Sequence, residues 1–101
     1  MVKDYPKHYQ HLLDLMGQFG AEAPDVMGGF GHLHEAAAKD GALSVKIKEL
    51  IALAIAVVVR CDGCIAYHVH DALAAGANRE EIVDAIGMDI LVVGGPAVGD
   101  G

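Results

Sequence analysis

Two cysteines and a histidine stand at helical spacing in the middle of the chain. Cys61 and Cys64 are the only cysteines in the sequence, and His68 follows one turn after Cys64. On an α-helix these offsets place all three side chains on one face. If the helix starts near Cys61, its unpaired N–H groups and positive dipole end favour the thiolate over the thiol. Two thiols within bridging distance, beside an imidazole that exchanges protons, indicate a redox centre with a reversible Cys61–Cys64 disulfide.

Two other interpretations of the cysteines are inert packing and metal binding. A buried cysteine often behaves as a small hydrophobic residue. A zinc site usually needs four ligands, including a second Cys/His pair at similar spacing. Four further histidines come from the predicted first two helices, lack a partner cysteine and are expected at the surface or in an interface: His8, His11, His32 and His34. We therefore expect a redox pair and no metal ligands.

Glu49 is the second candidate, because it stands at the head of a wholly apolar run, Leu50 to Val59. It could be an ordinary solvated glutamate in the first turn of a helix. A carboxylate drawn into apolar surroundings could instead exchange protons near neutral pH. The residues alone leave both interpretations open. His70 lies about 200° around the helix from His68 and is expected to face away from the cysteines, and Tyr67 is expected to pack.

The composition favours a small helical domain that associates with copies of itself. The 101 residues, taken as one domain over 1–101, are 53% hydrophobic but only 5% aromatic. Such a mixture suits close-packed helices and exceeds what a small monomer can bury. A homo-oligomer is therefore expected.

The charge excludes several kinds of partner. The formal net charge is −7, and the seven basic residues form no cluster, so nucleic acid and anionic membranes are not expected to bind. The longest apolar run is about half a membrane span, and the N-terminal residues lack the apolar core of a signal peptide. The sequence therefore predicts a cytoplasmic protein, where a Cys-x-x-Cys pair is typically catalytic or metal-binding.

Hydrophobic periodicity predicts an all-α fold of four or five helices without a convincing strand. The first helix is expected to run from Asp4 to Phe19, closed by Gly20, and the second from Ala23 to Lys39, its continuity weakened by three glycines. Ser44 is expected to cap a third helix that reaches about Arg60. A fourth would run from near Asp62 to Gly76, and Asn78 with Glu81 predicts a capping box at the start of the fifth.

Three segments together resemble a known family: Lys48 to Ala54, Arg60 to His68 and Ala74 to Ile82. They are similar to the carboxymuconolactone decarboxylase family, in its AhpD-like alkylhydroperoxidase branch. The specific part spans roughly Leu43 to Pro96, over half of the chain. The best-studied members carry a histidine just before the second cysteine, where this chain has Gly63, and they have a longer chain of two repeats.

The resemblance implies an AhpD-like helical bundle whose protomers interlock into trimers or hexamers. It also implies thiol-dependent reduction of a hydroperoxide without a cofactor. In that branch Cys64 would be oxidised to a sulfenic acid, Cys61 would resolve it, and His68 and Glu49 would relay protons. An external dithiol or thiol protein would reset the pair. The alternatives are a decarboxylase-type acid/base reaction that uses Glu49 and His68, and a redox-sensing oligomer that is not an enzyme.

Overall fold

The structure is a computed structural model that describes residues 4–94. In this range the chain forms five α-helices and no strand: α1 (Tyr5–Glu22), α2 (Pro24–Ala38), α3 (Val45–Val58), α4 (Asp62–Ala74) and α5 (Arg79–Val93). The all-α prediction is confirmed. None of these helices is long and apolar enough to cross a membrane.

The core lies where α3 packs against α4. Its buried side chains are Leu53, Ala56 and Val57 from α3 and Ile65 from α4. Helix α1 packs on α4, α5 packs on α3, and α2 closes one side by contacting α1 and α3. The redox motif and Glu49 stand on the two central helices, where packing against neighbours on several sides fixes their positions.

The turn between α3 and α4 sets the direction in which Cys61 leaves the third helix. Arg60 adopts a left-handed conformation with φ of 58°, and its N–H donates to the Val57 carbonyl while the Cys61 N–H donates to the Ala56 carbonyl. This is the pattern of a Schellman motif. The same motif ends α4, where Gly76 takes the left-handed position with φ of 97°, as the sequence predicted.

Helices α3 and α5 begin directly after the capping residues that the sequence predicted. The Ser44 hydroxyl accepts from the Ile47 N–H at 3.2 Å. Asn78 and Glu81 form the predicted capping box, each side chain accepting from the other's N–H. Both predicted caps are confirmed.

The first two helices differ from the sequence-based boundaries. Helix α1 does not end at Gly20 but continues to Glu22, and α2 runs without a break through Gly28, Gly29 and Gly31. Pro24 ends α1, because a proline disfavours helical geometry at the residue before it, and Ala23 has φ of −132°. Packing of α2 against α1 and α3 outweighs the low helix propensity of its glycines.

The apolar run in α3 is not buried on every side within one chain. Ile51, Ile55 and Val59 stay 46–62% exposed. They form an apolar stripe on the outer face of the helix at intervals of four residues.

Candidate active site

The two cysteines lie at the first turn of α4. Cys61 is the N-cap residue, and its Sγ accepts a hydrogen bond from the Cys64 N–H at 3.2 Å. The two residues form a disulfide with their Cα atoms 5.2 Å apart. The predicted pairing is therefore present, and the N-terminal turn of α4 holds both sulfurs as the sequence indicated.

Glu49 and His68 form a hydrogen-bonded pair behind the disulfide. Glu49 is only 4% exposed, and its Oε2 lies 2.7 Å from His68 Nδ1. The question left open by the sequence is answered, since this glutamate is not solvated. With Glu49 ionised, His68 Nδ1–H donates in this hydrogen bond, and Nε2 is the ring nitrogen that can accept a proton.

An apolar pocket of about 280 Å³ opens beside Cys64 and His68. Helices α1 and α2 supply its apolar wall: Leu12, Met16, Met27 and Phe30. Of the two cysteines, Cys64 lines this pocket. A small molecule bound here would meet one sulfur of the redox pair and the histidine together.

Tyr67 and His34 complete the pocket wall. The Tyr67 hydroxyl lies 3.4 Å from His34 Nε2, and the Tyr67 ring meets the His68 ring edge-on at 5.2 Å. Burial, followed by the nearby carboxylates of Asp71 and Glu49, raises the pKa of Tyr67 above its usual 10.0. The phenol therefore stays protonated at neutral pH and can donate a hydrogen bond.

His34 and Asp71 are site residues that the sequence analysis did not identify. His34 was expected at the surface or in an interface, whereas it lines the cysteine pocket and an adjoining cavity with Glu49 and Asp71. A signal existed for both. Met27, Phe30 and His34 stand at offsets 0, 3 and 7, and Asp71 extends the stripe of Cys61, Cys64 and His68 to offset 10.

His70 is placed as expected, away from the disulfide. Its side chain is exposed, and its ring stacks on Tyr9 with centroids 4.2 Å apart. Its Nδ1 also lies 3.1 Å from Asp71 Oδ1. The four residues predicted for the site, in contrast, come together: Cys61 bonds to Cys64, Cys64 shares a pocket with His68, and His68 bonds to Glu49.

Comparison with known proteins identifies the family of this chain. The sequence profile of the carboxymuconolactone decarboxylase family matches residues 24–100. The chain belongs to this family. As a carboxymuconolactone decarboxylase family protein it carries a bridged Cys-x-x-Cys pair, Cys61 and Cys64.

Proteins similar to this chain are found in several organisms. An uncharacterized protein of Cupriavidus necator is 39% identical over 96 residues, which cover 95% of this chain and 85% of that protein. The crystal structure of an apo carboxymuconolactone decarboxylase family protein from Legionella pneumophila superposes with a TM-score of 0.90 at 39% identity, covering 94% of this chain and 85% of that one. A Methanobacterium thermoautotrophicum protein superposes with a TM-score of 0.69 at 36% identity, covering 80% and 91%. The five-helix fold is thus that of the family.

Proposed function

We propose that this protein is a thiol-dependent hydroperoxide reductase, as in the AhpD-like branch that its motif resembles. The observation that carries the proposal is the shared pocket of Cys64 and His68, with His68 bonded to buried Glu49. A thiolate, a proton carrier and an apolar pocket are the parts that reduction of an organic hydroperoxide requires.

The first step takes place at Cys64 in the reduced protein. Its thiolate sulfur attacks the terminal oxygen of the hydroperoxide, so that an S–O bond forms as the O–O bond breaks. His68 Nε2 first accepts the Cys64 thiol proton and then gives it to the leaving alkoxide, which departs as the alcohol. Glu49 holds the Nδ1 proton and stabilises the charged imidazole before this transfer.

The second step uses Cys61, which adjoins Cys64 at the same helix end. The Cys61 sulfur attacks the sulfenic acid, forms the disulfide and releases water. An external dithiol then reduces the disulfide and becomes oxidised in turn. Each cycle therefore converts one hydroperoxide and one dithiol into an alcohol, water and a disulfide.

The decisive experiment compares the fully reduced protein with its Cys64→Ser and Cys61→Ser variants. One equivalent of cumene hydroperoxide should consume both thiols of the wild type and none in Cys64→Ser. Cys61→Ser should stop at a sulfenic acid that dimedone labels. Wild-type thiols that persist under excess peroxide would contradict the proposal. A decarboxylase-type activity that survives in Cys64→Ser would favour acid/base chemistry by Glu49 and His68 instead.

A further inference from the structure

A second polar cluster lies beside the cysteine pocket, and the proposed peroxide chemistry does not use it as a unit. His34 from α2, Glu49 from α3 and Asp71 from α4 each present one donor atom, and these atoms lie within 4.8 Å of one another. The three residues line one cavity of about 290 Å³. Its other walls are small aliphatic side chains: Ala38, Val45, Ala74 and Ala75.

Within the described residues 4–94, the side chains that form hydrogen bonds with the Glu49 and Asp71 carboxylates are the histidines His68 and His70. Glu49 is buried and uses Oε2 for His68, whereas its Oε1 has no hydrogen-bond partner in this range. The Asp71 carboxylate lies close by. Two carboxylates held side by side can share one cation, which attracts both of them.

The lysines at this end of α3 are already engaged. Lys48 Nζ donates to the carbonyls of Ala37 at 2.9 Å and Lys39 at 2.6 Å. Lys46 Nζ pairs with Glu81 at 2.7 Å. Neither ammonium group is thus bonded to Glu49 or Asp71, so the cavity side of the cluster is open to a cation from solution.

Each of the three side chains also lies within hydrogen-bonding distance of a residue on α4. The outer contacts are His68 Nδ1 to Glu49 at 2.7 Å, His70 Nδ1 to Asp71 at 3.1 Å, and Tyr67 hydroxyl to His34 Nε2 at 3.4 Å. Metal ligands are characteristically oriented by such outer hydrogen bonds, which leave the other donor atom for the ion. For His34 this arrangement requires Nε2–H to donate to the Tyr67 oxygen, which leaves Nδ1 for the ion.

We propose that His34, Glu49 and Asp71 bind a divalent transition-metal ion, with Zn²⁺ as the ion that fits the donors. One imidazole nitrogen and two carboxylate oxygens suit Zn²⁺, and water would complete its coordination. The ion takes the oxygen of Glu49 that His68 does not use, so the site does not depend on the proposed peroxidase reaction. The sequence-based expectation of no metal ligands considered only sets that contained the cysteines.

The test is zinc titration of the untagged, disulfide-bonded protein by calorimetry. With the disulfide intact the cysteines cannot ligate the metal, so binding is separated from thiol chemistry. One Zn²⁺ per chain should bind to the wild type, and Co²⁺ in its place should give visible absorption bands. His34→Gln and Asp71→Asn should each weaken binding about tenfold or more.

Matched controls make the same substitutions at exposed positions. His32→Gln and Asp84→Asn should keep the wild-type affinity. Absence of saturable binding at millimolar Zn²⁺, or wild-type affinity in both site variants, would overturn the proposal. Circular dichroism will show whether Asp71→Asn folds. If it does not, His34→Gln decides the question, because the His34 side chain is only partly buried and its replacement should leave the fold intact. A failure to bind zinc would not change the result expected for thiol oxidation by peroxide. A failure of thiol oxidation would likewise not change the result expected for zinc binding.

Discussion

The side of the bundle that holds Cys64 and the side formed by α5 distribute their polar and apolar groups in opposite ways. Around Cys64 the polar side chains bond to one another, as in the pairs Glu49–His68 and Tyr67–His34. On α5, Asp89 is buried with no partner for Oδ2 in residues 4–94, while Leu91 and Val92 are each 76% exposed. On the first side, therefore, these polar side chains find hydrogen-bond partners within one chain. On the second side, no other part of the described chain buries the exposed apolar side chains.

The largest effect is expected on the Cys64 side of the bundle, where substitutions in the Glu49–His68 pair should change the rate of thiol oxidation. Glu49→Gln and His68→Ala should each slow oxidation of the Cys64 thiol by cumene hydroperoxide about 10²- to 10⁴-fold, the usual contribution of a positioned acid/base group. Stopped-flow measurement on the reduced proteins gives the rates. The matched changes Glu80→Gln and His32→Ala, both at exposed positions, should leave the rate unchanged. Equal rates in all four variants would remove the proton relay from the mechanism.

The second prediction concerns the exposed side, which we propose is covered by another copy of the chain. Light scattering should report several times the 10.5 kDa chain mass. Leu91→Glu with Val92→Glu should shift the protein towards the monomer, because burying a large aliphatic side chain contributes about 1.5–3 kcal/mol. Gln18→Glu, which adds charge on α1, should not. A wild type that stays monomeric at micromolar concentration would contradict the proposal.

The third prediction concerns the buried carboxylate of the same helix. Burial raises the pKa of Asp89 above its usual 3.8, so the folded chain disfavours its ionised form. Asp89→Asn should stabilise the protein at pH 7, because it removes a charge that burial disfavours. The gain should shrink as the pH falls towards 3.8, where the unfolded chain is protonated too. Urea unfolding at both pH values measures it, with exposed Asp84→Asn as the control.

A gain from Asp89→Asn that stayed constant with pH would show that the charge is not its source. A loss of stability at pH 7 would indicate that the Asp89 carboxylate has a hydrogen-bond or ion-pair partner in solution. A second copy of the chain could supply that partner. Either result would sharpen the contrast between the two sides.

The smallest effect is expected at the Lys46–Glu81 ion pair, which joins the start of α3 to the start of α5. Hydrogen bonds from Lys46 and from the Asn78 N–H hold the pKa of Glu81 below its usual 4.5. The stabilisation is therefore present above that value and is lost as the pH falls through the lowered one. Glu81→Gln keeps the capping box and removes the charge. Its small loss of stability at pH 7 should shrink as the pH falls below 4.5, whereas Glu80→Gln should change little over the same range.

Much of this architecture follows from local sequence signals. Ser44, Asn78 and Gly76 mark helix ends by backbone hydrogen bonding that involves only neighbouring residues, so the sequence predicts them. The Cys61–Cys64 pair is local for the same reason. Placing Glu49 against His68 required the resemblance to a family, because the two stand 19 residues apart on different helices.

Other features depend on packing between distant elements. His34 enters the site only because α2 packs against α3, and the helix continues through Gly28 and Gly29 because neighbouring helices support it. The same holds for the stripe of Ile51 and Ile55, whose exposure reflects which faces of α3 the other helices of one chain cover. Composition predicts that such a surface exists but does not locate it.

The N-cap of α4 places two demands on one atom. Sulfur is a weak hydrogen-bond acceptor, and Asp, Asn or Ser would cap this helix better, yet Cys61 occupies the position and its Sγ accepts from the Cys64 N–H. Selection for folding alone should therefore replace Cys61 by serine or aspartate, whereas selection for redox turnover should retain it. A library randomised at position 61 could be sorted separately for stability and for activity. The two selections should then enrich different residues at that position. Residue 61 is thus a point where evolution of this chain trades helix stability against chemistry.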